Sequence, residues 1–282
     1  MICFVILHYM AIEQTVETVN KILELDGDKR VIIVDNASPN NSFKKLKHVY
    51  GDNKMIDLIH NDVNLGFAKG NNIGYKFAKI HYNPEFIVVM NSDILIKQND
   101  FIARVKKSYY DHAFHIMGPD IITFKGGFHQ NPMKEKDYSL GTLKKARRAL
   151  IIKNHLKSVY WIKWRIINRH PQKRKQSVNT KKVTQIVKNK PLHGSFYVFS
   201  SDFINDNDSC FYPKTFMYME AQILYYLAMK NNYTMIYDPT IEVVHIDDVS
   251  TDMTFSNRYK KAIFSNRALL QSTTVFIELL KG

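Results

Sequence analysis

Cysteine is nearly missing from this chain: its 282 residues hold two, Cys3 and Cys210. A pair so far apart makes neither a disulfide framework nor a zinc site, and points to a reducing cytoplasm. No run of about 18 apolar residues occurs, so no membrane-spanning helix is expected. The opening "MICFVILHYM" is apolar but too short for a signal peptide, and it lacks a basic leader. No Gly-x-Gly-x-x-Gly follows the first apolar run, which argues against a Rossmann dinucleotide site. No Gly-Lys-Ser/Thr follows the glycine-rich stretch, which argues against a P-loop there. Acidic residues are scarce in one place above all. Between Lys134 and Lys190, 18 Lys and Arg face only Glu135 and Asp137, so this segment carries +16 of a chain whose net charge is +14. A nucleic-acid binder usually spreads its basic character more widely, and no nucleic-acid motif is present, so no nucleic-acid partner is expected.

What is there is globular: 45% of residues are hydrophobic and 23% charged, enough for a sizeable core. Apolar runs at Ile2–Leu7, Val31–Val34, Met55–Ile59 and Phe86–Met90 read as strands, most of them buried on both faces. Helical patterns lie between them. Ile12, Val16, Val19, Ile22 and Leu23 form one apolar stripe, and Phe67 to Ile80 carries another. Strand-helix alternation predicts an α/β fold with parallel strands, in which ligands bind at the carboxyl ends of the strands. Those ends are polar: His8 and Tyr9, Asp35 and Asn36, Asn61 to Asn64, and Asn91-Ser92-Asp93. The stretch "NLGFAKGNNIG" (Asn64–Gly74) reads by itself as a turn and a helix packed on the sheet, although Gly66 and Gly70 would also admit a ligand to the backbone.

The order of these motifs resembles that of a family 2 glycosyltransferase with the GT-A fold. The closest subgroup is the rhamnosyltransferase-like enzymes of bacterial surface polysaccharide synthesis. "VIIVDNAS", "NLGFAKGNNIG", "VVMNSDI", "HGSFYVFSSDF", "FMYMEAQILYYLAMKNNY" and "VVHIDDVST" stand in the family's order over roughly residues 1–125 and 190–255. The resemblance implies one GT-A domain over 1–282, with a mixed central sheet, a basic helical insert at 134–190 and a C-terminal helix at 255–282. It implies inverting transfer of a sugar from a UDP- or dTDP-sugar to a carbohydrate acceptor, a glycan or lipid-linked oligosaccharide, in capsule, exopolysaccharide or O-antigen synthesis.

It also assigns roles. Asp93 and His245 would hold Mg²⁺ or Mn²⁺, with Asn91 in place of the first acid of an Asp-x-Asp. Asp35 would accept a hydrogen bond from the base, and Tyr9 would stack on it beside His8. Asn36, Asn64, Gly66, Lys69, Asn71, Asn91 and Ser92 complete the nucleotide-sugar side, and His193 and Gly194 lie on the acceptor side. Glu220 is the candidate base. The family usually has two adjacent acids here, and this chain has Glu220-Ala221.

In the insert, Ala149, Ile152, Leu156, Tyr160, Trp164 and Ile167 share a helical face interleaved with Lys153, Lys157, Lys163 and Arg165. That pattern fits a peripheral anchor at the inner face of a bacterial membrane, or a stripe packed on the domain. Two rival functions stand beside transfer. A nucleotidyltransferase would typically carry a glycine-rich basic loop after the first strand, which "LHYMAIEQT" lacks. A non-catalytic nucleotide-sugar or glycan-binding relative is kept open by Ala221.

Overall fold

The computed structural model describes residues 1–156, 181–246 and 258–282. Its strands are β1 (Ile2–His8), β2 (Lys29–Asp35), β3 (Ile56–His60), β4 (Phe86–Asn91), β5 (Ile94–Ile96), β6 (Ile116–Thr123), β7 (Val187–Lys188), β8 (Phe196–Ser200) and β9 (Met235–His245). Its helices are α1 (Ile12–Leu23), α2 (Ser42–Tyr50), α3 (Gly66–Tyr82), α4 (Phe101–His112), α5 (Leu140–His155), α6 (Ser201–Asp206), α7 (Glu220–Lys230) and α8 (Arg258–Leu279). One sheet runs β3-β2-β1-β4-β8-β6-β9-β5, with β7 on β9. β1 to β4 are mutually parallel, and β8 inserts antiparallel between β4 and β6. The sheet is mixed, as the sequence leads one to expect.

The period-two alternation of a strand sorts the core into two layers. Ile2, Phe4 and Ile6 face α1, α2 and α4, where Val19, Leu46 and Phe101 pack. Cys3 and Val5 face the other way, toward Ala68, Tyr75 and Ala78 of α3 and Leu224 of α7. The glycine-rich stretch serves that second layer. A Cβ at Gly70 would come within 2.5 Å of Leu7, and one at Gly74 within 2.5 Å of Val5. The spacing of four puts both glycines on one face of α3 and lets the helix lie close on β1 and β2.

Register brings the polar strand ends to one level. His8 pairs with Asp35, and Leu7 with Asn91. Because β8 is antiparallel to β4, with Met90 opposite Phe196, the residues before β8 arrive at the same edge. His245 closes β9 opposite Ile94 and Thr123.

The first helix of the insert packs by a face other than its apolar stripe. α5 lies on α8 through Leu143, Arg147, Leu150 and Asn154, whose side chains are buried there or bonded to it. Ala149, Ile152 and Leu156 face outward, with Ile152 58% and Leu156 52% exposed. Two residues on from Leu150, Ile152 stands about 200° round the helix. The alternative of a stripe packed on the domain is therefore corrected for these three residues. Tyr160, Trp164 and Ile167, with Lys157, Lys163 and Arg165, lie outside the described residues.

Candidate active site

A buried side-chain oxygen without a hydrogen-bond partner is uncommon and calls for an explanation. Among the described residues, Asp35 Oδ1, Asn71 Oδ1, Asp93 Oδ1 and Glu220 Oε1 are in that state, as are Gln14 Oε1 on α1 and Ser108 Oγ on α4. The first four belong to residues expected at the ligand from the sequence.

Asp35 is fully buried at the end of β2. Its Oδ2 accepts from the Ser38 N–H at 3.2 Å and from His60 Nδ1 at 2.8 Å. Its Oδ1 faces His8 Nε2 at 3.8 Å. His8 has no proton to give there. The Thr15 hydroxyl donates to the Ala11 carbonyl, so its oxygen accepts from His8 Nδ1 at 2.7 Å. Nε2 is then the acceptor for the Ser42 hydroxyl at 2.8 Å. Burial pushes the His8 pKa down to about 4, partly opposed by Asp35, so the ring is neutral. His8, expected to touch the nucleotide, has both ring nitrogens engaged by Thr15 and Ser42.

Asn36 is engaged within the fold in the same way. Its amide donates to Asn64 Oδ1 and the Gly66 carbonyl, and its oxygen accepts from Asn61 and the Leu65 N–H. All its hydrogen-bonding capacity goes into shaping the turn before α3. Gly66 sits at φ 78°, and a Cβ there would meet the Phe216 carbonyl at 2.2 Å. The Phe67 N–H donates to that same carbonyl at 2.6 Å. So the close approach that Gly66 permits is used by the loop at Phe216. Asn64 is exposed, Asn71 buried and Lys69 exposed on α3, while Tyr9 is half-buried after β1. His60, stacked on Phe43 with ring centroids 4.5 Å apart, was not anticipated. Its only sequence signal is that it ends β3 beside Asp35.

Asp93 follows β4 and is 5% exposed. The Asn91 N–H donates to the Ser195 carbonyl, Ser92 is buried, and the Ser92 carbonyl accepts from Thr18. Asp93 Oδ1 lies 3.4 Å from His245 Nε2, and the His193 ring lies 5.9 Å from that of His245. Burial and His245 together push the His193 pKa down to about 4. His193 Nδ1 accepts from the Ser195 N–H and hydroxyl, which leaves the proton on Nε2. His193, expected on the acceptor side, thus stands beside the Asp93–His245 pair. Asp93 and His245 fit a Mg²⁺ or Mn²⁺ that takes its remaining ligands from phosphate and water. No cluster of three or more metal-binding side chains exists among the described residues.

Glu220 opens α7 and is 6% exposed. Tyr218 and Met219 before it both adopt left-handed backbone, at φ 72° and 69°. Two successive non-glycine residues there store strain of about 1–3 kcal/mol each, which the surrounding packing must offset. Burial raises the Glu220 pKa to about 7, while Thr215 and nearby backbone N–H groups pull it lower. A carboxyl of that pKa is suited to general base work near neutrality. Ala221 faces Gly194, whose added Cβ would stand 3.6 Å from the Ala221 Cβ.

A family model, Glycosyl transferase family 2, matches residues 3–182. The chain belongs to glycosyl transferase family 2. Among solved structures it is similar to S. aureus TarS 1–349 in complex with UDP, with a TM-score of 0.56 at 13% identity, covering 94% of this chain and 64% of that one. The UDP-GlcNAc complex of S. aureus TarS 1–349 gives 0.57 at 15% identity, covering 94% and 66%. This family 2 chain thus spans just under two thirds of those chains. At such identity the likeness speaks for the fold, the GT-A arrangement of a mixed central sheet. No curated protein matches the family 2 chain by sequence.

Proposed function

We propose that this family 2 member transfers a sugar from a UDP- or dTDP-sugar to a carbohydrate acceptor, with inversion, by single displacement. The observation that carries the reading is the set of buried, unsatisfied carboxylate oxygens at one sheet edge. Each suits one task. Asp35 Oδ1 is an acceptor for the imide N–H of uracil or thymine. Asp93, with His245, would hold Mg²⁺ or Mn²⁺ on the diphosphate. Bound there, the cation would neutralise charge developing on the leaving group. Glu220 would take the proton of the acceptor hydroxyl, and its strained, buried seat holds the carboxyl ready near neutral pH. His193, neutral with its proton on Nε2, would donate to a phosphate oxygen.

The finer assignment is a rhamnosyltransferase-like enzyme acting in bacterial surface polysaccharide synthesis, on a lipid-linked acceptor at the cytoplasmic leaflet. No helix among the described residues is long and apolar enough to cross a membrane. The outward face of α5 supports peripheral attachment, since Ile152 and Leu156 share it with Lys145 and Arg148. Anionic vesicles should bind the chain, less so as salt rises, and Ile152→Asp should weaken binding further. Equal partition to neutral and anionic vesicles would remove this part of the proposal.

Glu220→Gln tests the catalytic reading. With Mn²⁺, a UDP- or dTDP-sugar and a glycan acceptor, kcat should fall about 10²–10⁴-fold while donor affinity holds. Transfer at the undiminished rate would place the base elsewhere. Donor binding with neither transfer nor hydrolysis in the unaltered chain would favour a non-catalytic relative, the rival that Ala221 keeps open.

A further inference from the structure

The loop that ends on Glu220 is gripped from outside, residue by residue. The Phe216 carbonyl accepts from the Phe67 N–H of α3 at 2.6 Å, and the Phe216 ring meets Phe264 of α8 edge-on, with centroids 6.3 Å apart. The Met217 carbonyl accepts from the Ser272 hydroxyl at 2.9 Å. The Tyr218 hydroxyl lies 2.8 Å from that of Ser265. Met219 packs on the cluster of Leu143, Ile223, Phe276 and Ile277. Helix α8 takes part in all four grips. Ser265, Ser272 and Phe276 follow one another at intervals of seven and four, so they lie on one stripe of α8.

Ser272 is fully buried. A serine or threonine inside a helix commonly bonds the carbonyl four residues back, as Thr274 does with Leu270 at 2.8 Å. Ser272 donates out of its helix, to the carbonyl that precedes the two left-handed residues Tyr218 and Met219. Such backbone persists only where its surroundings impose it. Here it also builds the seat of the carboxyl, because the Thr215 side chain and the N–H groups of Tyr218 and Glu220 face Glu220. A backbone shift at Met217 or Tyr218 would therefore pass directly to the carboxyl. Phe276 secures the other side of the loop. Its ring meets Tyr226 of α7 at 5.6 Å and Tyr138 at 5.9 Å. So α8 holds both the loop and the helix that Glu220 opens.

We propose that α8 is a clamp on the loop that bears Glu220, and that Ser272 is a positioning residue whose hydroxyl keeps the carboxyl aimed at the acceptor. The link to transfer rests on the functional reading above; the clamp itself does not. Hydrogen exchange followed by mass spectrometry needs no substrate and judges the clamp alone. In the full chain, Ser272→Ala should speed exchange of the amides at 216–222 by about tenfold or more, while β1 and β2 exchange as before. Ser272→Thr, which keeps the hydroxyl, should restore slow exchange. With Mn²⁺, a UDP- or dTDP-sugar and a glycan acceptor, kcat of Ser272→Ala should fall about 10–100-fold while UDP affinity holds. In a Glu220→Gln background the same substitution should cost less than about twofold more, because it acts through the carboxyl. Unchanged exchange at 216–222, or an equal fall in kcat with and without the Glu220 carboxyl, overturns the proposal. Should Glu220→Gln transfer at the full rate, the link to transfer is overturned, and exchange still judges the clamp. Should Ser272→Ala fail to fold, Tyr218→Phe, which releases the loop from Ser265, is read by the same two measurements.

Discussion

Asp35 and Asp93 begin from the same local design and, on the proposed function, serve different chemistry. Each is a buried carboxylate just past a parallel strand, each has an unsatisfied Oδ1, and each has a histidine nitrogen within 4 Å of that oxygen. The difference lies in what holds the histidine. Around Asp35, Thr15 and Ser42 saturate both nitrogens of His8, so the carboxylate oxygen is left for a hydrogen-bond donor from outside. Around Asp93, Gln130 Oε1 lies 2.8 Å from His245 Nδ1, and His245 Nε2 lies 3.4 Å from the carboxylate. On the proposed function, one strand-end Asp–His pair would receive a neutral N–H and the other a cation. Glu220 extends the comparison to a third buried carboxylate, whose charge is moderated by Thr215 and backbone N–H groups instead of a histidine.

The largest effect should come from Asp93. Asp93→Ala removes the only carboxylate of the pair, and a cation on a diphosphate stabilises the transition state by several kcal/mol. Transfer should fall by about 10³-fold, and the gain in UDP affinity on adding Mn²⁺ should vanish, as read by calorimetry. If Mn²⁺ still strengthens UDP binding in the folded variant, the two aspartates do not divide the work in this way.

Glu220 gives a smaller effect with a distinct sign. Its pKa is about 7 in the fold against 4.5 for an ordinary glutamate. Between those values the folded chain binds more protons than the unfolded one, so stability falls as pH rises through that window. The window corresponds to about 3 kcal/mol at most. Glu220→Gln never ionises, so it should be more stable than the unaltered chain at pH 8, by up to that amount, and equal to it near pH 4. Urea denaturation at the two pH values checks this. A variant less stable at pH 8 would mean that the carboxylate is well solvated or paired.

These contrasts also mark what the sequence could reveal. The parallel half was legible because β1, β2 and β4 are apolar on both faces and end abruptly on polar residues. Asp35, Asp93 and His245 stood out as titratable groups at such ends, whereas Glu220, which opens α7, was reached only through the family resemblance. Side-chain hydrogen bonds over long sequence separations left no periodic trace, so Asn36 and His8 read as ligand contacts although the fold consumes them. The contacts of His129, Gln130 and Asn131 with Asp120, His245 and His193 left no trace for the same reason, since these partners lie 9 to 115 residues away. β9 was obscured by Asp238-Pro239-Thr240, where the β6–β9 register shifts. The face that α5 buries depends on α8, over a hundred residues later, and no local stripe reveals it.

Asp35 offers the smallest effect and the sharpest test, because one atom can be reversed there. In Asp35→Asn the Ser38 N–H and the His60 Nδ1–H, both donors, still require an oxygen at the Oδ2 position. The amide nitrogen must then occupy the Oδ1 position. An acceptor becomes a donor in the same place. Uracil and thymine present an imide N–H there, whereas cytosine presents a bare ring nitrogen. UDP affinity should fall by 1–3 kcal/mol, roughly ten- to a hundredfold, the scale of one buried hydrogen bond replaced by a mismatch. CDP should gain relative to UDP. The loss should be the same with Mn²⁺ and with chelator, unlike the loss at Asp93, because no cation is involved. Calorimetric titration of both nucleotides under both conditions reads all three outcomes. An unchanged ratio of UDP to CDP affinity would mean that the base is recognised elsewhere, and that Asp35 serves only to hold His60 and the turn at Ser38.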